Sequence, residues 1–239
     1  MLRHLAFPQA LLVLLLVLSP APATPFQLPL QQPQLPTAGR NLRCTAARSA
    51  AHTGPTMMAE GNKKGVLFVC LGNICRSPTA EAVFTSVVGK AGRSDEFDID
   101  SCGTGGGSSN WYKQGGFSYH EGEDADSRMK ETAEKRGVYL TSVSRPLEPK
   151  DFERFDAIVY MDDANRMAIT EAANHWKIPP DEVSKRTCSM MAFAKAAGAG
   201  KSVPDPYYGG TDGFEKVLDL LDDACEGLLE SFDSTGRSK

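Results

Sequence analysis

The chain predicts an α/β domain, a single doubly wound parallel sheet of four strands with helices on both faces. Three observations carry that expectation. The run Val66–Cys70 is apolar throughout, as a strand covered on both sides must be. The segments between strand-like runs space their apolar residues at helical intervals. Strands and helices alternate along the chain, the order that builds a parallel sheet with right-handed crossovers.

Taken in order, Val66–Cys70 is the first strand. Pro78–Val88 reads as a helix, with Ala80, Val83, Phe84 and Val87 on one face. Phe97–Ser101 alternates and is the second strand. Cys102–Gly122 is a long Gly/Ser loop bearing Trp111, Tyr112, Phe117, Tyr119 and His120. Ser127–Arg136 is a polar helix that Gly137 closes as a C-cap. Phe155–Met161 is the third strand and Asp163–Ala173 the next helix. Pro179-Pro180 breaks the chain, and Val183–Met191 is expected to hold the fourth strand. Thr211–Phe232 is a long terminal helix with Phe214, Val217, Leu218, Leu221, Ala224, Cys225 and Leu228 at core spacing. About 170 residues suffice for one core without metals or disulfides. In such sheets ligands bind beyond the carboxyl ends of the strands, which is where Cys70 leaves the first strand.

The 239 residues are 41% apolar and 23% charged, ordinary for a globular protein, but the composition is uneven. Residues 1–59 hold four arginines and no acidic residue, a charge of +4. The remainder carries −8, for a net charge of −4. Eight of the 15 prolines fall in the leader as well. Leu11–Leu18 follows Arg3 and His4 as a signal-peptide core too short to span a bilayer, with Ala21, Ala23 and Thr24 offering cleavage sites. Thr37–Ala51 is rich in Arg, Ala, Ser and Thr, as transit peptides are. The expected division is a targeting leader over 1–62 and a folded domain over 63–235. Without Cys44 the cysteines are Cys70, Cys75, Cys102, Cys188 and Cys225, an odd and scattered set that fits a reducing compartment better than a disulfide framework. The acidic balance gives no footprint for nucleic acid. His120 and His175 lack partners at zinc spacing, so no metal or other cofactor is expected.

The chemistry concentrates in Cys70-Leu-Gly-Asn-Ile-Cys-Arg-Ser77, between the first strand and the first helix. Gly72 and Asn73 are expected to take the positive φ angles of a tight loop. The loop amides of Leu71, Gly72, Asn73, Ile74 and Cys75 then form a nest, to which the helix N-terminus adds its dipole. Arg76 closes the cradle with two parallel N–H donors to a phosphate. Thiols near helix N-termini and guanidinium groups ionise readily and become nucleophiles, the role expected of Cys70. Ser77 is an N-cap, a donor to the Cys70 sulfur, or both, and Pro78 suits the first helical turn. A departing ester oxygen needs a proton that Arg cannot supply. Asp205, held between Pro204 and Pro206, is the candidate donor.

Val69–Pro78 closely resembles the phosphate loop of the low-molecular-weight protein tyrosine phosphatases, and Asp205-Pro-Tyr-Tyr-Gly209 resembles that family's second signature. Asp100–Thr104, Asp126–Met129, Arg136-Gly137, Ser144–Pro146 and Met161-Asp162 match further landmarks, so the resemblance covers about residues 64–233. It implies a flavodoxin-like sheet of order 2-1-3-4. It also implies hydrolysis of phosphotyrosine or small aryl phosphate monoesters through a phosphocysteine on Cys70, with Arg76 binding phosphate and Asp205 as general acid and base. Cys75 is implied as a redox partner of Cys70, its alternative being a small packing residue. Tyr207 and Tyr208 are implied to border the pocket or accept phosphate, Tyr207 as a wall; the opposite wall is expected to be an aromatic of the Gly-rich loop, because an aryl phosphate prefers aromatic faces, with Tyr119 in that place and Trp111 as its rival. Cys102 stands where the family usually has Ala and is assigned no role.

Two other readings compete. An arsenate reductase on the same fold relays electrons through two further mid-chain cysteines, and none lies between Cys102 and Cys188. A silent phospho-binding module would need neither Asp205 nor a reactive thiol. The leader resembles the bipartite presequence of algae with secondary plastids, which implies a plastid. Its alternatives are the secretory pathway, or the cytosol from a start at Met57 or Met58. No membrane association is expected after its removal.

Overall fold

The computed structural model describes residues 63–196, 200–207 and 210–234, without the side chains of Thr211 and Ser234. The assigned leader and Tyr208 lie outside the described residues. Four strands, β1 (Lys64–Cys70), β2 (Phe97–Gly103), β3 (Ala157–Tyr160) and β4 (Thr187–Ser189), pair in parallel in the order β2-β1-β3-β4. The expected sheet and its order are both present.

β1 is central because residues 65–70 are all buried, with neighbours on both edges and both faces. Its alternation sorts the core into two layers. Val66, Phe68 and Cys70 pack with α1 (Arg76–Lys90), α2 (Ser127–Glu134) and α6 (Thr211–Ser234). Leu67 and Val69 pack on the other face with α3 (Asp151–Arg154), α4 (Asp163–His175) and α5 (Pro180–Arg186). Phe84 of α1 meets Phe68 and Phe97 edge-on, ring centroids 5.7 and 5.4 Å apart. Burying such a side chain stabilises the fold by about 1.5–3 kcal/mol.

Two local expectations change. The fourth strand is only Thr187–Ser189, because α5 begins at Pro180 and takes Val183 into a helix. Pro180 starts that helix with its fixed φ rather than merely breaking the chain. The short helix α3 was not expected. It begins at Asp151, whose carboxylate is fully buried and bonded to Arg145. Gly137 closes α2 as expected. It lies three residues past Glu134 at φ 74°, and Gly137 and Val138 donate back to Glu134 and Ala133.

The carboxyl ends of β1, β2 and β3 define one edge of the sheet. Cys70 ends β1 and Gly103 ends β2. Asp162 follows β3 and caps α4, accepting the Asn165 N–H at 2.8 Å. Val203 N donates to Met161 O at 2.9 Å, which ties the Pro204-Asp205-Pro206 segment to this edge.

Candidate active site

The loop from Cys70 to Arg76 turns its carbonyls outward. Cys70 O accepts from Thr104 N, Leu71 O from Gly106 N, Gly72 O from Ser144 Oγ, and Ile74 O from Asp126 N. Cys75 O accepts from Thr79 N and Oγ1. The amides behave oppositely. Among the described residues, no protein acceptor takes the N–H of Gly72, Ile74, Cys75 or Arg76, all of which line one cavity of about 150 Å³. Main-chain donors left without protein partners are rare, and four around one cavity make an anion cradle. Gly103 makes room for the loop, since a Cβ there would lie 3.0–3.1 Å from Leu71 O, Asn73 N and Gly72 C.

Asn73, not Gly72, takes the positive φ, at 53°. Gly72 is needed for space instead: a Cβ would fall 2.8 Å from the His120 ring. The buried Asn73 side chain donates to Ser77 Oγ at 3.0 Å and Ser101 Oγ at 2.8 Å, and accepts from Arg145 N at 2.9 Å. Its own N–H points at Cys70 Sγ, 3.3 Å away. Ser77 Oγ lies 3.1 Å from the same sulfur and 3.2 Å from Cys102 O, so its single proton goes to one or the other. Ser77 is the second helical residue and Cys75 occupies the N-cap, so of its two expected roles Ser77 keeps the contact with sulfur. Asn73 N and Ser77 Oγ thus converge on the Cys70 sulfur and hold it in the cradle.

Arg76 is buried, yet three acceptors hold its guanidinium. One amino group meets Asp162 Oδ2 at 2.5 Å and Val203 O at 3.2 Å, and the other meets Asp205 Oδ2 at 2.9 Å. Burial alone would pull its pKa down. The charges of Cys70 and Asp205 and the bond to Asp162 outweigh burial, and Arg76 stands above its ordinary value. Asp205 folds back on itself, accepting Tyr207 N at 3.1 Å through Oδ1 while Oδ2 faces Arg76. The two flanking prolines and this Asx turn fix the carboxylate at the cavity mouth.

The cavity wall is only partly the expected one. Tyr207 lines it, beneath the Arg128 guanidinium at 5.4 Å. Tyr119 does not. Its main chain donates to Gly105 O, and its ring turns out to meet Phe117 at 4.9 Å. The neighbouring His120 lines the cavity instead, with Leu71 and Ile74, and its Nδ1 lies 2.8 Å from Glu123. Trp111, the rival wall, is a core plug. Its ring fills the space beside Gly105, at φ 88°, where a Cβ would lie 2.3 Å away. Cys75 is buried and lines the cavity. Burial pushes its thiol well up, Cys70, Asp126 and Asp205 add to the rise, and it stays protonated near neutrality. Cys102 is likewise pushed up by burial and packs in the second core layer. Among the described residues, no three His, Cys, Asp or Glu side chains are grouped to hold a metal ion.

The sequence reading missed Asp162 as the tether of Arg76, and His120 as a wall. The first had a signal, an acidic N-cap directly after a strand at the ligand edge. The second had none, because a one-residue shift in loop phase exchanges Tyr119 and His120.

Comparison with known proteins agrees with this geometry. A Schizosaccharomyces pombe low molecular weight phosphotyrosine protein phosphatase is 40% identical over 167 residues, 70% of this chain and 95% of the relative. A Streptomyces coelicolor low molecular weight protein-tyrosine-phosphatase is 38% identical, covering 69% and 90%. A protein tyrosine phosphatase from Entamoeba histolytica, crystallised with Hepes in its active site, superposes with a TM-score of 0.63 at 38% identity, covering 73% of this chain and 99% of that one. Residues 65–238 match the family described as low molecular weight phosphotyrosine protein phosphatase, and the chain belongs to that family.

Proposed function

We propose that the protein hydrolyses phosphotyrosine and related aryl phosphate monoesters through a covalent phosphocysteine. The observation that carries this is the cradle of four unpartnered amides and a tethered guanidinium around one sulfur. The Cys70 thiolate attacks phosphorus and forms an S–P bond. The P–O bond to the phenol breaks in line, and the leaving oxygen takes the Asp205 proton. Asp205, now a carboxylate, takes a proton from water as its oxygen attacks phosphorus. The S–P bond breaks, and inorganic phosphate and the thiolate are released. The loop amides and Arg76 hold the equatorial oxygens in both steps, where charge develops.

The ion pair of Arg76 with Asp205 must loosen for this. An incoming phosphoryl group competes for the guanidinium and frees the Asp205 carboxyl to face the leaving oxygen. Asp162 keeps its hold on the other amino group, so Arg76 stays aimed. Phosphate release from p-nitrophenyl phosphate between about pH 5 and 7 tests the reading. No release would remove it. Arsenate-dependent oxidation of a thioredoxin would favour reductase chemistry instead. Cys75, beside the nucleophile and protonated at rest, is suited to form a disulfide with it when Cys70 is oxidised.

The folded domain is proposed to span 63–235, and the leader over 1–62 to direct it to a plastid on the composition given above. A fluorescent fusion of residues 1–65 tests that, and secretion or a cytosolic signal would contradict it. Among the described residues, no helix is long and apolar enough to cross a membrane.

A further inference from the structure

A second groove adjoins the catalytic cavity, and Leu71 lines both. It has a volume of about 240 Å³ and lies between the Gly/Ser loop, through Ser108 and Tyr112, and helix α4, through Asn165, Ala168 and Glu171. Its shape is built rather than incidental. Tyr112 is held by its carbonyl and its ring: the carbonyl accepts Trp176 Nε1 at 3.0 Å, and the ring meets Trp111 and His175 edge-on at 5.4 and 5.3 Å. Lys113 Nζ lies over the same ring at 5.3 Å. The Tyr112 hydroxyl then donates to Glu171 Oε1 at 2.6 Å, holding that carboxylate at the groove. Among the described residues, no Lys, Arg or His pairs with Glu171, and Lys113 is engaged with the ring instead.

A phosphotyrosine within a polypeptide brings its neighbours to the rim of the cavity. A chain leaving over Leu71 meets this groove next, and finds there a positioned carboxylate without a counter-charge. We propose that the groove is a subsite for a basic side chain flanking phosphotyrosine in a polypeptide substrate, with Glu171 as its acceptor. This rests on the phosphatase reading above and narrows it from aryl phosphates to a substrate class. An exposed charge pair of this kind favours a basic over an acidic neighbour by up to about fivefold in kcat/KM.

The test compares phosphotyrosine peptides carrying Arg or Glu at each flanking position in turn, with p-nitrophenyl phosphate alongside. In the native protein the Arg-to-Glu ratio of kcat/KM should exceed one at a position that reaches the groove. Glu171→Gln should bring that ratio near one, and Glu171→Lys should invert it. Glu171 is exposed on α4, so both variants are expected to fold. An Arg preference that survives both substitutions, or none at any position, overturns the subsite while p-nitrophenyl phosphate is still hydrolysed. Loss of hydrolysis of p-nitrophenyl phosphate by the native protein removes the phosphatase reading and the subsite together.

Discussion

Individual atoms in the loop divide the work of holding an anion from the work of attacking it. Asp205 supplies the proton, so Asp205→Ala should lower kcat/KM by about 10²–10⁴-fold for substrates with poor leaving groups and far less for good ones. Equal slowing of p-nitrophenyl phosphate and phosphotyrosine in steady-state assays would contradict the proton-donor role. Asp162 acts one step back, through the amino group of Arg76 that it holds at 2.5 Å. A charge-assisted bond contributes about 1.5–3 kcal/mol, so Asp162→Ala should weaken phosphate inhibition by tenfold or more. Inhibition constants for inorganic phosphate check this, and unchanged values would leave Asp162 a mere helix cap. Asn73 combines a left-handed backbone with three side-chain bonds beneath the nucleophile. Aspartate in its place could only accept from the two hydroxyls, which would draw the Ser77 proton away from Cys70 Sγ.

At the level of elements, the strand ends place the nucleophile loop and its tether. Gly103 closes β2 against the loop, and Gly103→Ala would force Leu71 and Asn73 to move by a few tenths of an ångström. The expected result is weaker phosphate binding and slower turnover with a nearly unchanged melting temperature. A melting loss without a kinetic one would show that the cost falls on the sheet instead. The packing of α1 is separable: Phe84→Ala should cost about 3–5 kcal/mol by urea denaturation, because the cavity lies between β1 and two other rings. These elements were legible in the sequence to different degrees. β1, α1 and α6 announced themselves, since a run of buried apolar residues or a long helical stripe admits one reading. β4 did not, because three residues carry no period and Val183 fits a helix as well as a strand. Cys70, Arg76 and Asp205 converge as the motifs suggested, but Tyr119 and His120 trade places. Their phase is set by Trp111 plugging the core across a run of three left-handed glycines, a tertiary contact that no local pattern encodes.

Across the whole molecule, burial of charge ties stability to pH. Burial holds the Glu81 carboxyl above its ordinary value of 4.5, with the hydroxyls of Ser101 and Ser142 opposing, and its Oε2 has no partner. The native state therefore binds this proton more tightly than the unfolded chain. Its contribution is complete below the unfolded value and is lost as pH rises through the native one. Asp126, held below its ordinary value chiefly by its bond to Arg128, acts with the opposite sign. Urea denaturation of the native protein and Glu81→Gln at pH values of about 4 and 7 separates the two. The native protein should lose stability relative to the variant as pH rises, and parallel curves would contradict the buried-carboxyl account. The proposed hydrolysis depends on phosphorus passing through one sulfur. Acid quenching during turnover of phosphotyrosine by Asp205→Ala, followed by mass spectrometry of the loop peptide, should find a phosphoryl group on Cys70. Continued turnover with the group on another residue, or on none, would contradict it.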